Sequence, residues 1–239
     1  MDRPGFKPGG WCHALPGGFD SRSPPPLPCP PDTFRYTIAA KEIAARGRTR
    51  PMNEAMLAGL LGRHSQGIRH LGEPGPDDAA LRTMAAAALR APDHAGLVPY
   101  RFAVVRGAAR ARLGALFEQA AHAAGKDAAS ARIDAERAER APVTVAVIAR
   151  IDLGHPQVPA HEQWAAVGGA LANFLNAAHA LGYAGKMLSG RKARDATLQA
   201  AFCRPGETLV GWIALGTALR QPVDRDAKAG AADVIGDWG

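Results

Sequence analysis

An arginine, an aspartate and a histidine lie within five residues of one another in the segment Arg90-Ala91-Pro92-Asp93-His94. Their side chains donate and accept hydrogen bonds, as binding a polar ligand requires. An alanine-rich helix runs into this segment, and because Pro92 disfavours helical backbone at Ala91, we expect the helix to stop there. Pro99 opens the strand that begins at Tyr100, where a proline costs no ladder hydrogen bond. The turn is therefore a candidate site, and a capped helix end is the alternative interpretation.

Familiar catalytic and cofactor motifs are incomplete in this sequence. No GxGxxG follows a strand, and Gly185-Lys186 lacks the first glycine and the Ser/Thr of a phosphate-binding P-loop. Ser189 to Lys192 matches SxxK, but the SDN and KTG of the serine acyl-enzymes are missing. His155 and His161 lie six residues apart without a carboxylate pattern, so no metal site is predicted. Glu162 could act as a base, but a glutamate at a helix start is more often a favourable dipole partner. No catalytic residue is predicted.

The periodicity of apolar residues predicts a mixture of helices and about four strands without an internal repeat. Pro142 to Ala149 (PVTVAVIA) is typical of a strand buried on both faces. His161 to Leu181 predicts one long helix that is apolar almost all round, which indicates burial. Gly168-Gly169 in its middle would let another backbone come close, for example a partner helix from a second chain. The other predicted elements are a helix from Asn53 to Gly62, a helix from Pro76 into the polar turn, a strand from Tyr100 to Arg106, a helix carrying Leu113 and Leu116, a solvated helix from Asp127 to Arg140, a short strand from Tyr183, a helix from Asp195 to Phe202 and a strand from Thr208 to Leu215.

The ends of the chain differ in composition from its centre. Residues 1–51 hold ten of the 19 prolines and have a net charge of +4 out of +7 for all 239 residues. Such a segment cannot bury enough apolar surface to offset its ordering entropy, so we expect a disordered N-terminal tail in which only Thr37 to Arg46 could form a short helix. Organised sequence begins near Met52, which makes Met52 a candidate functional start. We expect one domain over residues 52–220 and a polar C-terminal tail over residues 221–239.

Composition also excludes several functional classes. The charge outside the tail is a weak excess and no basic cluster interleaves with aromatic residues, so no nucleic-acid partner is expected. No apolar run is long enough to span a bilayer, so no membrane partner is expected. The three cysteines form no CxxC pair, which excludes a disulfide scaffold and favours a reducing compartment, the cytoplasm.

Five short blocks occur in order between about Asn53 and Thr217. They are Gly62-Arg63-His64-Ser65; Arg90-Ala91-Pro92-Asp93-His94 with Pro99-Tyr100-Arg101-Phe102-Ala103-Val104; His161-Glu162-Gln163; the turn ending in Ser189-Gly190; and Val210 to Thr217. Taken together, these blocks resemble the nitroreductase family, and within it the small single-domain FMN proteins. The resemblance implies an α+β, nitroreductase-like fold: a central, mostly antiparallel sheet flanked by helices, with the long buried central helix at a homodimer interface.

The resemblance also implies an activity. The family passes hydride from NAD(P)H through FMN to nitroaromatic or quinone-like small-molecule electron acceptors. The cofactor carries this chemistry, which explains the missing catalytic triad and carboxylate pair. Two other hypotheses are a flavin-binding protein with little turnover, a carrier or sensor, and an interaction protein whose proline-rich tail recruits partners.

Eight residues are implied as FMN contacts, in three groups. The resemblance assigns the phosphate end or the ribityl chain to the first group and further flavin contacts to the other two. The second group would contact the flavin of its own chain or that of the second subunit. The groups are Arg63, His64 and Ser65; Arg90 and His94; and Met187, Leu188 and Ser189. An arginine can grip phosphate with two hydrogen bonds, and a serine hydroxyl can add one.

The chain departs from the family pattern at two places. His64 stands where the family has a second arginine, so neutralisation of the phosphate is weaker above the pKa of an ordinary histidine, about 6.5. Met187-Leu188 replaces Trp-Arg, which removes an aromatic ring and a cation, although Lys186 is one residue away. Looser FMN binding or a more apolar substrate pocket would follow. The segment from Ala177 to Gly182 lies where the family is expected to contact the nicotinamide cofactor.

Overall fold

The computed structural model describes residues 53–221 and 229–238. The predicted N-terminal tail, with its helix from Thr37 to Arg46, and part of the predicted C-terminal tail lie outside the described residues. The described helices are α1 (Glu54–Gly62), α2 (Asp78–Ala88), α3 (Ala109–Ala123), α4 (Ala128–Glu139), α5 (Ala160–Ala180) and α6 (Ala196–Phe202). The described strands are β1 (Leu71–Gly72), β2 (Tyr100–Arg106), β3 (Val143–Ala149), β4 (Ala184–Leu188) and β5 (Thr208–Ala218).

Local sequence explains where several helices begin. Asp77 caps α2 because its Oδ1 accepts a hydrogen bond from Ala80 N at 2.8 Å. Asp127 caps α4 in the same way, and Asp195 caps α6. Each carboxylate satisfies a backbone N–H that has no partner inside the helix. None of the described helices is long and apolar enough to cross a membrane.

The five described strands form one antiparallel sheet. The order is β1-β5-β3-β2, and β4 also pairs with β5. The sequence predicted about four strands, and the additional one is the two-residue β1, which is too short to carry a periodic signal. The predicted architecture, a mostly antiparallel sheet flanked by helices, is confirmed.

Two apolar cores lie on opposite faces of this sheet. Val145, Val147 and Ile213 pack with Phe174 of α5 on one face, and Ala146 and Ile148 pack with Trp212 and Leu198 on the other. All seven residues of β3 are therefore buried, as its unbroken apolar run predicted.

A register shift in β5 determines which of its side chains face each core. Opposite Val147 and Ile148 of β3, the pairing passes from Gly211 directly to Leu209. Val210 is therefore an extra residue, and it reverses the alternation of side chains between the two faces along β5. As a result Leu209 and Trp212, which are three positions apart, pack in the same core. The glycine at the shift has φ +150°, a conformation that favours glycine.

Burial in the single chain is less complete than predicted for one helix and more extensive for another. The long helix α5 buries only one side in the single chain: Ala166, Val167 and Phe174 are buried, whereas Trp164 is exposed. The charged helix α4 is not simply solvated, because Asp134 on its inner face is buried and paired with lysines. A charge pattern alone does not reveal that a lysine from another element will neutralise a buried carboxylate.

Candidate functional site

The loop after α1 is fixed against β4. Helix α1 ends at Gly62, and the backbone of Arg63 is extended. Ser65 forms a parallel bridge with Gly185, and Gln66 N donates a hydrogen bond to Gly185 O at 3.1 Å. The segment that contains the first predicted group of site residues therefore lies beside the strand that contains the third.

Arg63 and His64 line a pocket of about 240 Å³ at this edge of the fold. The loop, the C-terminal half of α5 and the beginning of β4 form its walls. Its lining also includes Gly62, Gln66, Leu175, His179, Gly182, Tyr183, Ala184, Gly185, Ala218 and Gln221. A guanidinium and an imidazole beside backbone groups and an apolar wall form a donor set suited to an anion with an organic body.

Gln66 holds the pocket wall in place, and the sequence did not point to it. Its side chain is buried, and its Nε2 donates to the carbonyl oxygen of Arg220 at 3.0 Å, 154 residues away along the chain. Because both its backbone and its side chain are bonded to distant segments, the loop has little freedom to move. No local pattern marks a glutamine for such a role.

The turn between α2 and β2 is a second, separate structure. His94 Nδ1 lies 2.7 Å from Glu162 Oε2 in the first turn of α5. Since an ionised carboxylate can only accept, Nδ1 carries the proton and Nε2 is left for another partner. Arg90 and His94 are both exposed, and Glu162 is therefore a histidine partner as well as the predicted dipole partner.

The backbone of this turn is strained and held in place by polar contacts. Ala95 (φ +59°) and Val98 (φ +46°) adopt left-handed conformations, which are rare for a β-branched residue. Asp93 Oδ2 accepts from Val98 N at 2.7 Å, and Arg150 Nη2 donates to Val98 O at 2.8 Å. Such strain is found at functional sites, where the surrounding structure maintains it.

Tyr100 closes the base of the turn. Its hydroxyl donates to Ala88 O at 3.0 Å, at the end of α2. Burial raises the pKa of the Tyr100 phenol, and the nearby Asp93 carboxylate raises it further, so the hydroxyl remains a donor throughout the physiological range.

The third predicted group lies at the end of β4, where side chains alternate between the two faces of the sheet. Met187 packs in the core that contains α5. Leu188 faces the other way and, together with Ser189 just after the strand, lines a different cavity beside Trp212 and Lys192.

The structure therefore brings together only some of the predicted residues. The loop carrying Arg63, His64 and Ser65 adjoins β4, whereas Arg90 and His94 line neither the Arg63 pocket nor the cavity beside Leu188. His179 was missed as an individual residue, although it lies in the segment predicted to contact the nicotinamide cofactor.

Comparisons with known proteins agree with this architecture. The model of the Nitroreductase family matches residues 60–217. The protein named "Putative NAD(P)H nitroreductase YdjA" from Escherichia coli K12 is 37% identical over 161 residues, which cover 66% of this chain and 85% of that protein. A protein of Haemophilus influenzae named "Putative NAD(P)H nitroreductase" is 30% identical over 154 residues, 64% of this chain and 84% of that protein. The chain belongs to the nitroreductase family, as the sequence blocks predicted.

Solved structures share the fold. A nitroreductase-like protein from Bacillus cereus superposes with a TM-score of 0.68 at 18% identity, covering 80% of this chain and 99% of that one. A protein of Desulfovibrio desulfuricans named "putative nitroreductase", solved in complex with FMN, gives a TM-score of 0.59 at 20% identity over 79% of this chain and 99% of that one.

Proposed function

We propose that this protein is an FMN-dependent oxidoreductase that passes hydride from NAD(P)H to nitroaromatic or quinone-like acceptors. The observation that carries the proposal is the attachment of the Arg63–Ser65 loop to β4 through Ser65, Gln66 and Gly185. This attachment places two of the three predicted FMN-binding segments side by side. We propose the same eight residues as the cofactor contacts, and residues 52–220 as the catalytic domain.

The residues present fit the polar end of FMN. Arg63 and His64 supply cationic or neutral donors for a phosphate, and Ser65 supplies a hydroxyl. The pocket of about 240 Å³ is smaller than the roughly 300–1,000 Å³ that encloses a drug-sized ligand. The single chain therefore holds part of the cofactor and needs further walls for the ring.

We propose that a second copy of the chain supplies those walls. Helix α1 has no buried residue, and Met56 is 64% exposed with Leu57, Leu60 and Leu61 also exposed. Trp164 on the outer side of α5 is exposed as well. Apolar residues on neighbouring helices form the kind of surface that a homodimer covers. Arg90 and His94, which do not line the Arg63 pocket of their own chain, would then contact the partner's cofactor.

Each group has a definable part in the reaction. FMN, when bound, supplies the two-electron chemistry. Arg63 binds and orients the phosphate, the Glu162 carboxylate keeps the proton on His94 Nδ1, and Gln66 fixes the loop. Where the family has Trp-Arg, Met187 leaves an apolar side chain on the α5 face of the sheet, and the side chain of Leu188 lies on the opposite face. The absence of CxxC pairs supports a reducing compartment, and the cytoplasm, where NAD(P)H is available, is the location we propose.

The test is an absorbance titration of the full chain with FMN. Bound flavin should bleach on addition of NADPH or NADH and recover its visible band on addition of menadione or nitrobenzene. Protein that takes up no FMN refutes the proposal. Protein that binds FMN but is not reduced favours the carrier or sensor alternative.

A pair of arginine variants tests the assigned residue. Arg63→Ala removes a charge-assisted hydrogen bond, which is worth about 1.5–3 kcal/mol, so FMN should bind roughly 10- to 150-fold more weakly. Arg69→Ala is the matched control, because Arg69 is exposed in the short 3₁₀ helix Ile68–His70 that follows the loop and does not line the pocket. Equal losses in the two variants would contradict the assignment.

A further inference from the structure

A second cavity lies on the opposite face of the sheet from the Arg63 pocket. It measures about 220 Å³ and is enclosed by α3, α4, the end of β4 and the face of β5 that carries Trp212. Phe117, Leu188 and Trp212 provide apolar walls, and Ser189 and Lys192 provide polar groups. Its size suits a ligand with a single ring and is too small for a dinucleotide. Of its lining residues, Leu188 and Ser189 are also among the proposed flavin contacts.

Trp212 supplies the first sign that a ligand belongs here. The residue is 2% exposed, and among the described residues its Nε1 has no hydrogen-bond partner. It is the one buried side-chain nitrogen or oxygen in that part of the chain without a partner. A buried donor without an acceptor is unfavourable, and an acceptor brought in by a ligand would satisfy it. Phe117 meets the Trp212 ring edge-on with centroids 5.0 Å apart, so the aromatic wall is already ordered.

The charges around the cavity supply the second sign. The Asp134 carboxylate, with 6% of its side chain exposed, lies 2.6 Å from Lys126 Nζ and 3.0 Å from Lys192 Nζ. Lys126 lies outside the lining, whereas Lys192 and Arg137 line the cavity together with Asp134. One carboxylate is therefore paired with two lysines, and Arg137 adds a further positive charge to the lining.

Lys192 is held in position for a ligand. Its Nζ lies 4.6 Å from the centroid of the Phe117 ring, a cation–π contact. Burial lowers the pKa of Lys192, and the positive charges of Lys126 and Arg137 lower it further, against the opposing effect of Asp134. An anion next to the ammonium group would favour its charged form and so counteract both effects.

We propose that this cavity binds a small aromatic carboxylate. The ring packs against Leu188 and the cavity-facing side of the Phe117–Trp212 pair, and the carboxylate accepts hydrogen bonds from Trp212 Nε1 and Lys192 Nζ. The ligand would lie directly behind Leu188 and Ser189, and would thus stabilise the end of β4 from the face opposite the proposed flavin. The inference goes beyond the proposed function and does not rest on it.

Calorimetric titration of the full chain with benzoate, in excess FMN, tests the proposal. The wild-type protein should bind benzoate, and benzamide, which has the same ring without the charge, should bind at least about tenfold more weakly. Lys192→Met should weaken benzoate binding about tenfold or more, because a hydrogen bond to a charged group is lost. Lys126→Met is the matched control: it removes an equivalent bond to Asp134 without touching the lining, and should change the affinity less than about twofold.

A second readout reports on Trp212 directly. Trp212→Phe keeps the aromatic wall and removes only the donor, so it identifies the Trp212 indole N–H resonance in ¹⁵N spectra and should weaken benzoate binding. In the wild type, benzoate should shift that resonance. If Trp212→Phe does not fold, the lysine pair and benzamide still decide the matter. Absence of benzoate binding, equal affinity in Lys192→Met and wild type, or an indole resonance that does not move on binding would overturn the proposal.

Discussion

Gly211 offers a quantitative test of how β5 shapes the candidate site. It lies at the register shift, with φ +150°. A Cβ added there would collide with Leu188 O and lie 2.8 Å from Met187 Cε and 3.1 Å from Ser189 Cβ. All three neighbours belong to the third group of predicted FMN contacts. Gly211→Ala should therefore displace the segment that we propose to contact the flavin.

The size of the effect follows from two contributions. Overpacking a tightly filled region costs about 1–3 kcal/mol. A backbone conformation reserved for glycine costs about another 1–3 kcal/mol. Their sum, about 2–6 kcal/mol, is a large part of the roughly 5–15 kcal/mol by which a domain is stable. For a chain of this length each kcal/mol lowers Tm by about 2–4 °C, so Tm should fall by at least about 4 °C.

The assay is thermal unfolding of the full chain with and without FMN, together with an FMN titration. Gly206→Ala is the control, because Gly206 has φ +80° but nothing within 4 Å of an added Cβ. It introduces backbone strain of about 1–2 kcal/mol without a collision, and it leaves β4 untouched. We expect Gly211→Ala to be the less stable of the two and the one that loses FMN affinity. A Gly211→Ala protein with the wild-type Tm and FMN affinity would refute the reasoning.

Two further predictions concern the assembly and the stability of the fold. Gly168 lies on the exposed side of α5, and an added Cβ there meets nothing within 4 Å in the single chain. Gly168→Leu should therefore leave the monomer folded, convert the proposed dimer to monomers in light scattering and weaken FMN binding. A variant that remains dimeric would contradict the proposed interface. The Arg101 guanidinium, 2.5 Å from Glu207, lowers the pKa of that carboxyl from 4.5 to about 2. Because the pKa is lower in the folded state, the ionised Glu207 stabilises the fold at pH values above the unfolded-state pKa, and this stabilisation disappears as the pH falls toward 2. In urea unfolding, Glu207→Gln should therefore lose about 1–2 kcal/mol of stability at pH 7, after solvent screening, and progressively less below pH 4. A loss of stability that does not change with pH would rule out this origin.

The sequence predicted elements whose signals are local. The unbroken apolar run of β3 indicated a strand covered on both faces, and the structure buries every residue of it. Helices α2 and α6 each begin directly after an aspartate that caps them. The first residue of each helix could therefore be predicted to within a residue or two. The family followed from five short blocks in a fixed order, which is information that composition does not contain.

Features that depend on distant partners were missed. Arg101 and Glu207 are 106 residues apart, and the sequence around either gives no hint of the other. Burial of Asp134 requires Lys192, which arrives from the turn after β4. One missed feature did have a local signal: a lone glycine inside a strand, such as Gly211, indicates a bulge or a close backbone approach.

The geometry of α5 explains why the candidate site residues divide into two sets and why the proposal needs two chains. Glu162, near one end of the helix, holds His94, and His179, near the other end, lines the pocket with Arg63. At 1.5 Å per residue the two ends are about 25 Å apart, a span that a pocket of about 240 Å³ does not bridge. In a dimer with two-fold symmetry, an α5 helix that crosses its antiparallel copy near the middle would bring the His94 end of one chain to the Arg63 end of the other. Gly168 lies near that midpoint on the exposed side, where the absence of a side chain permits close approach of two backbones. For this reason we expect Gly168→Leu to separate the chains and to open both cofactor sites.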